Sequence, residues 1–323
     1  MPDQALVSVI IACFNSVRYL SCTIDSVLNQ TYKNIELILV DDCSTDGTVA
    51  LINEYMGRDQ RIRLIQREQR GGRPAITKNT GLEYITGEFV CFLDHDDYYH
   101  PKKIEYLVSS LIENPECVAA FHDIDLVDEH GNFLNRYLDN FIAEANEYIK
   151  RISASKYICS TRFFAFQSIK YAAIHTISIM IATERFGRKN LSFDTRFQVC
   201  DDTDLWIRLG LSGQIIFLDK SLASYRQHAT NITRNQIKVQ EDALILMEYN
   251  FPRVSDKISE QEKILLTKRI SSYYDDLGWM YRRKKIRKDS IRAYIKAWKW
   301  SKSGKHLVHA IKAIFPIRKT GTA

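Results

Sequence analysis

The chain has 323 residues, 45% of them hydrophobic and 26% charged, with only 13 Gly and 6 Pro; this excludes a disordered or collagen-like chain and allows one large α/β domain, alone or with an appendage. No apolar run approaches the roughly 18 residues that a bilayer span requires; the run at 174–182 is among the longest, and it carries His175, Thr176 and Ser178. The net charge of +6 resolves into +13 over residues 281–323, where fourteen Lys and Arg face the single acid Asp289, and −7 over the rest, so an acidic body carries a basic tail.

Met1 leads almost directly into the apolar residues 6–12 with no basic stretch before them, so no secretory signal is expected. Residues 7–12 (Val-Ser-Val-Ile-Ile-Ala) are apolar and β-branched, which suits a strand buried on both faces of a parallel sheet. Leu20, Ile24, Val27 and Leu28 then recur at helical spacing. A second strand at 35–40 ends in Asp41-Asp42, and Ser44-Thr45-Asp46-Gly47 turns into a helix through Val49, Leu51, Ile52 and Tyr55. Residues 62–65 read as a strand, 75–84 as a helix, and 88–93 as a strand ending in Asp94-His95-Asp96-Asp97. A helix follows near 103–112 and a strand around 118–121. The stretch 125–200 shows hydrophobic patches without regular period; 202–211 reads as helix, 214–218 as strand, and the period is helical after Asn231. The seven cysteines are odd in number and form no C-x-x-C pair, so reduced, mostly buried thiols are expected.

Strands and helices alternating at this spacing predict an α/β fold with a parallel sheet covered on both faces. Ligands of such sheets bind beyond the carboxyl ends of the strands, and three of those ends carry polar clusters: Cys13-Phe14-Asn15, Asp41-Asp42 and Asp94–Asp97. Two carboxylates at the mouth of a buried strand suit a Mn²⁺ or Mg²⁺ ion bridging to a diphosphate; alternatively they cap a helix starting near Pro101. Asp42 is placed to accept the imide N–H of a uracil or ribose hydroxyls, or else it serves the turn, as Asp46 is expected to. Gly71-Gly72-Arg73-Pro74, with Lys78 on the following helix, is suited to hold an anion. Asp201-Asp202-Thr203-Asp204 opens a helix whose dipole favours acids, and one of them is a candidate general base. His228 is a metal-ligand or diphosphate-donor candidate, or a packed histidine. The glycine pattern of a Rossmann dinucleotide site is absent after the first strand, and so is a P-loop.

In order, Val7-Ser-Val-Ile-Ile-Ala-Cys-Phe-Asn15, Leu39-Val-Asp-Asp-Cys-Ser-Thr-Asp-Gly-Thr48, Gly71-Gly-Arg-Pro-Ala-Ile-Thr-Lys-Asn-Thr-Gly81, Gly87-Glu-Phe-Val-Cys-Phe-Leu-Asp-His-Asp-Asp97 and Asp201-Asp-Thr-Asp-Leu-Trp206 closely resemble the family 2 glycosyltransferases of the GT-A fold over roughly residues 5–230. The resemblance implies an inverting, metal-dependent transfer of a sugar from a nucleoside diphosphate; UDP is favoured because Asp42 can accept from a uracil imide, and a glycan or lipid-linked acceptor is expected. It implies Ala12, Phe14, Asn15 and Asp42 around the base, Lys78, Asp94 and His95 on the donor, Asp96 and His228 on a Mn²⁺ or Mg²⁺ ion, and Asp202 as catalytic base with Asp201 beside it. The chain departs from the family pattern at Phe14, where a tyrosine is usual, at Lys78, where an arginine is common, and at Asp201, where the family has Glu. The alternative of a catalytically silent nucleotide-sugar-binding protein conflicts with the intact acids at 94, 96 and 202.

The predicted division is a catalytic domain at 1–235 and a helical, basic extension at 236–323. In the extension, Ile291, Tyr294, Ile295 and Trp298 share one helical face, and Leu307, Val308, Ile311, Ile314 and Phe315 repeat the pattern among lysines. Residues 282–319 therefore suit an anionic membrane surface or a packed helical cap, and no nucleic acid is expected. A cytoplasmic protein, peripheral on the inner face of the membrane, is the matching location.

Overall fold

The computed structural model describes residues 5–315. Its first compact unit comprises residues 1–167 and 171–231, and its second 168–170 and 232–323. The first contains β1 (Val7–Cys13), α1 (Leu20–Leu28), β2 (Ile35–Asp41), α2 (Thr48–Met56), β3 (Ile62–Gln66), α3 (Pro74–Leu82), β4 (Phe89–Asp94), β5 (Tyr98–Tyr99), α4 (Lys103–Glu113), β6 (Cys117–Val127) and β7 (Phe133–Arg136). The chain continues through α5 (Phe141–Glu144), β8 (Ile149–Ser153), β9 (Lys156–Cys159), α6 (Phe163–Ile169), β10 (Ile179–Ala182), α7 (Thr183–Phe186), α8 (Asp201–Ser212) and β11 (Gln214–Arg226).

The strands form a single sheet in the order β3-β2-β1-β4-β10-β6-β11-β9-β8, with β5 added to β11 and β7 to β6. Strands β1 to β4 pair in parallel, and β10 runs antiparallel between β4 and β6. The period-2 rule is visible along β1. Val7, Val9 and Ile11 enter one core with Leu20 and Ile24 of α1 and Leu107 of α4, while Ile10 enters the other with Ala75 of α3 and Leu205 and Trp206 of α8. A strand buried on both faces therefore sits between two helical layers, the α/β class expected.

Parts of the first unit differ from the sequence reading. The irregular middle contains β7 to β10; β10 is only four residues, too short for its period to show. Strand β11 runs to Arg226, well past residue 218, because its register against β6 shifts between Leu218 and Ser221 and again before Ser224, masking the alternation. Tyr225 and Arg226 thus lie within β11, paired with Leu126 and Val127 of β6.

The second unit is helical: α9 (Gln236–Ser255), α10 (Glu260–Arg283), α11 (Arg287–Ser301) and α12 (Gly304–Ile314). Helix α10 starts on a capping box in which Ser259 and Glu262 satisfy each other's backbone N–H groups. Helix α11 buries Ser290, Ala293, Tyr294 and Ala297 while Ile295 points outward, so its expected apolar face is split. At Gly278 of α10 a Cβ would lie 2.8 Å from the Tyr294 ring, so glycine lets α11 approach. Helix α12 turns His306, Ala310 and Ala313 inward and leaves Leu307, Val308, Ile311 and Ile314 exposed. Residues 316–319 of the expected membrane-facing segment lie outside the described residues. Among the described residues no helix is long and apolar enough to cross a membrane.

Candidate active site

The parallel registers pair Ala12 with Asp94 and Cys13 with Asp41, so β1, β2 and β4 end level and present their polar ends along one edge. Asp94, Asp96 and His228 meet there. His228 Nε2 lies 2.8 Å from Asp96 Oδ2, and Thr230 Oγ1 lies 2.8 Å from His228 Nδ1, which fixes the ring. Burial works against the Asp96 carboxylate, yet the His228 hydrogen bond and the nearby His95 hold its pKa below the ordinary value. Asp94 moves the other way, because burial and the Asp96 charge outweigh the Lys78 ammonium. Neither acid caps the next helix: α4 begins after Lys102 without a side-chain cap.

Asp97 is wholly buried. Its Oδ1 accepts the Arg226 N–H at 2.8 Å, and burial with the Asp96 and Asp94 charges raises its pKa well above the ordinary value. It therefore holds the β4 turn to β11 and is removed from the solvent-facing chemistry. The Thr23 hydroxyl secures the same turn by donating to the carbonyls of His95 and Asp97. Nδ1 of His95 is buried with no hydrogen-bond partner among the described residues.

Asp96 and His228 together offer a carboxylate oxygen and an imidazole nitrogen at one point, the second ring nitrogen being tied to Thr230. This donor set fits a Mn²⁺ or Mg²⁺ ion, which Asp96 and His228 would hold.

The acids of α8 separate by environment. Asp201 is buried, with Lys78 Nζ 2.8 Å from its Oδ2. Asp202, one residue on, is half-buried, and its Oδ2 accepts a 2.7 Å hydrogen bond from the Thr176 hydroxyl. Asp204 pairs with Arg208 at 2.7 Å. Lys78 also lies 4.5 Å from the centroid of Phe193.

On the opposite side, Arg70 covers the Phe14 ring at 3.8 Å from its centroid, and Asn15, with φ of 50°, accepts the Thr45 N–H through its side-chain oxygen. Asp42 is buried. It accepts the N–H groups of Gly71 at 2.7 Å and Gly72 at 3.0 Å, with Arg67 Nε at 2.9 Å. The glycines are needed here: Gly72 has φ of +68°, and a Cβ on Gly71 would lie 2.8 Å from Ile76. Asp42 thus shapes the base side through the loop it pins. Asp46 accepts from the N–H groups of Thr48 and Val17, the turn role expected of it.

Residues missed by the sequence reading complete the site. His175 is half-buried in the field of Asp94, Asp202, Lys78 and Asp96, and Thr176 bonds Asp202. Arg226 stacks between Tyr19 and Tyr98, at 4.9 and 5.3 Å, and donates to the Asp96 carbonyl. The signal for the first two was the polar pair interrupting the apolar run at 174–182.

A mostly parallel sheet that gathers such acids at its carboxyl edge defines a transferase fold of the GT-A type. The chain belongs to glycosyl transferase family 2, whose model matches residues 8–173, and is a glycosyltransferase. It is 29% identical over 236 residues to the putative teichuronic acid biosynthesis glycosyltransferase TuaG of Bacillus subtilis, covering 73% of this chain and 84% of that one. Two solved structures share the fold. One is S. aureus TarS 1-349 in complex with UDP-GlcNAc (TM-score 0.60, 16% identity, 97% of this chain and 93% of that one). The other is the mannosyltransferase PcManGT from Pyrobaculum calidifontis in complex with GDP-Man and Mn²⁺ (TM-score 0.60, 15% identity, 96% and 87%).

Proposed function

We propose that this chain transfers a sugar, with inversion, from a nucleoside-diphosphate donor to an acceptor hydroxyl, in the synthesis of a bacterial surface glycan or lipid-linked oligosaccharide. The observation that carries the reading is a contact: Lys78 Nζ lies 2.8 Å from Asp201 Oδ2 at the start of α8, and the Asp94 charge at the end of β4 acts on the same ammonium, which supports one site for the two acidic motifs.

Asp202 takes the proton from the acceptor hydroxyl as that oxygen attacks the anomeric carbon from the face opposite the leaving nucleotide. Thr176 orients the carboxylate, and the half-buried setting keeps it reachable. Asp201 is bound to Lys78 and buried, which makes it the supporting member of the pair. Asp94, His95 and Lys78 line the donor's sugar and phosphates, while Ala12, Phe14, Asn15 and the loop pinned by Asp42 line its base. When held by Asp96 and His228, a Mn²⁺ or Mg²⁺ ion supplies positive charge that stabilises the departing diphosphate.

A uracil base is favoured because Asp42 Oδ2, which accepts the Gly72 N–H, has a further lone pair for the imide N–H. A UDP-sugar in the TarS structure is in keeping with this. The exposed Leu307, Val308, Ile311 and Ile314, with Lys305 and Lys312 beside them, support docking of α12 on an anionic membrane surface where a lipid-linked acceptor would lie.

The test is a screen of UDP-, GDP- and dTDP-sugars by thermal shift and donor consumption, with and without Mn²⁺. Stabilisation and turnover by a UDP-sugar, dependent on the ion and lost in Asp96→Ala, is the expected result. No donor stabilising the protein under any condition would refute the reading.

A further inference from the structure

Within the helical unit, α10 and α12 bring together three side chains that the transfer reaction does not use. Asp275 comes from α10; His306 and His309, three residues apart, share the inward side of α12. Nδ1 of His306 and Nδ1 of His309 each lie 2.8 Å from the same carboxylate oxygen, Asp275 Oδ1, and the ligand atoms of the three residues all fall within 4.8 Å of one another.

The hydrogen-bond inventory makes this arrangement incomplete. The Ser271 hydroxyl spends its one proton on the Ala297 carbonyl at 2.9 Å. Its contact with His306 Nε2, at 3.2 Å, therefore needs the proton on the ring nitrogen. In the neutral ring His306 Nδ1 then carries a lone pair, aimed at a carboxylate oxygen 2.8 Å away. The His306 side chain is only 2% exposed, so water does not relieve that repulsion. A second proton on the ring or a metal cation between the two groups does, and the second imidazole on the same carboxylate oxygen suits the cation.

We propose that Asp275, His306 and His309 form a transition-metal site of the Zn²⁺ class that staples α12 to α10. Two imidazoles and one carboxylate are the donors such an ion prefers. With Zn–N and Zn–O distances of about 2.0–2.2 Å, tetrahedral ligand atoms stand about 3.4 Å apart, so the present contacts need open by only about 0.6 Å. The Nε2 proton of His306 on Ser271 supplies the outer-shell contact that metal-bound histidines usually make. Tyr294 meets the His309 ring edge-to-face at 5.3 Å, which orients the third ligand. The His309 side chain is 37% exposed, so it provides the entry path and leaves the fourth coordination position to water.

This site is independent of the proposed transfer reaction and of the ion proposed at Asp96. The experiment uses the full chain carrying Asp96→Ala and His228→Ala, stripped with a chelator and titrated with Zn²⁺ against a chromophoric competitor. The expected result is one equivalent bound with a Kd in the micromolar range or tighter, a rise in Tm on loading, and at least a tenfold loss of affinity in His309→Ala and in Asp275→Asn. Co²⁺ loading should give the intense visible bands of a tetrahedral site, absent from His309→Ala. His309→Ala removes a part-exposed ring and should fold; in an otherwise wild-type chain it should also keep its transferase activity. Binding of less than a fifth of an equivalent, or the same affinity and Co²⁺ spectrum in His309→Ala, would overturn the proposal.

Discussion

Lys78 Nζ lies 2.8 Å from Asp201 Oδ2 with both side chains buried, and the two groups are shifted in the same direction. At Asp201 burial dominates and pushes the carboxyl up to about 6 against the attraction of Lys78. At Lys78 burial is outweighed by the charges of Asp201, Asp94 and Asp202, which raise it. An acid titrating at about 6 when folded, against about 3.9 unfolded, binds its proton more tightly in the native state; its contribution is complete below the unfolded value and is lost as pH rises through the folded one. Between about pH 5 and pH 7, the wild type should therefore lose about 1–2 kcal/mol relative to Asp201→Asn in urea unfolding. A difference that stayed constant, or moved the other way, would mean that Asp201 behaves as an ordinary paired carboxylate.

Lys103 opens α4 fully buried, its ammonium 3.6 Å from the centroid of Tyr99. Burial pushes its pKa down to about 8, the nearby Cys91 only partly opposing this. Its folded value lies below the unfolded one, so the charged form destabilises the protein at neutral pH and the penalty fades as pH rises past about 8 toward about 10. Lys103→Met should stabilise the protein at pH 7 by about 1–3 kcal/mol, with a gain that shrinks above pH 9. Calorimetry at the two pH values is the check; a destabilised variant would show that the cation–π contact outweighs the desolvation.

Thr176 is a positioning residue in the proposed mechanism, since its hydroxyl bonds the carboxylate assigned as base. Thr176→Val keeps the volume and removes the donor. It should lower kcat about tenfold with the donor Kd unchanged, and Thr176→Ser should recover most of the loss. Equal falls in kcat and donor affinity would point to a structural role instead.

Much of this was legible in the sequence. The β-branched runs ending in polar clusters located β1, β2 and β4, and their level ends follow from parallel pairing. Asp94, Asp96, Asp202 and His228 all stood in short strings that marked them as candidates, and the resemblance supplied the roles proposed for them. What stayed hidden depended on long-range packing: Lys78 and Asp201 show no mutual signal along the chain, and His175 and Thr176 read as interruptions of an apolar run. In α12 the helical period was visible but its direction was not, because small alanines and His306 pack inward and the larger apolar side chains are left outside.

That outward face leads to a membrane prediction. Leu307, Val308, Ile311 and Ile314 are 39–58% exposed on a helix that also carries Lys305 and Lys312. The protein should float with vesicles containing anionic phospholipid, less so at high salt, and Ile311→Glu should weaken flotation severalfold. Absence of flotation with both acidic and neutral vesicles would leave α12 without a membrane role.

The central claim is that Asp202 removes the acceptor's proton at a site whose donor is held elsewhere. Its most direct test is Asp202→Asn, with sugar transfer and donor affinity measured on the same preparation. Transfer should fall by at least about a thousandfold while the donor Kd in Mn²⁺ stays within about twofold of wild type. Near-normal turnover in this variant would assign the base to another residue and contradict the account.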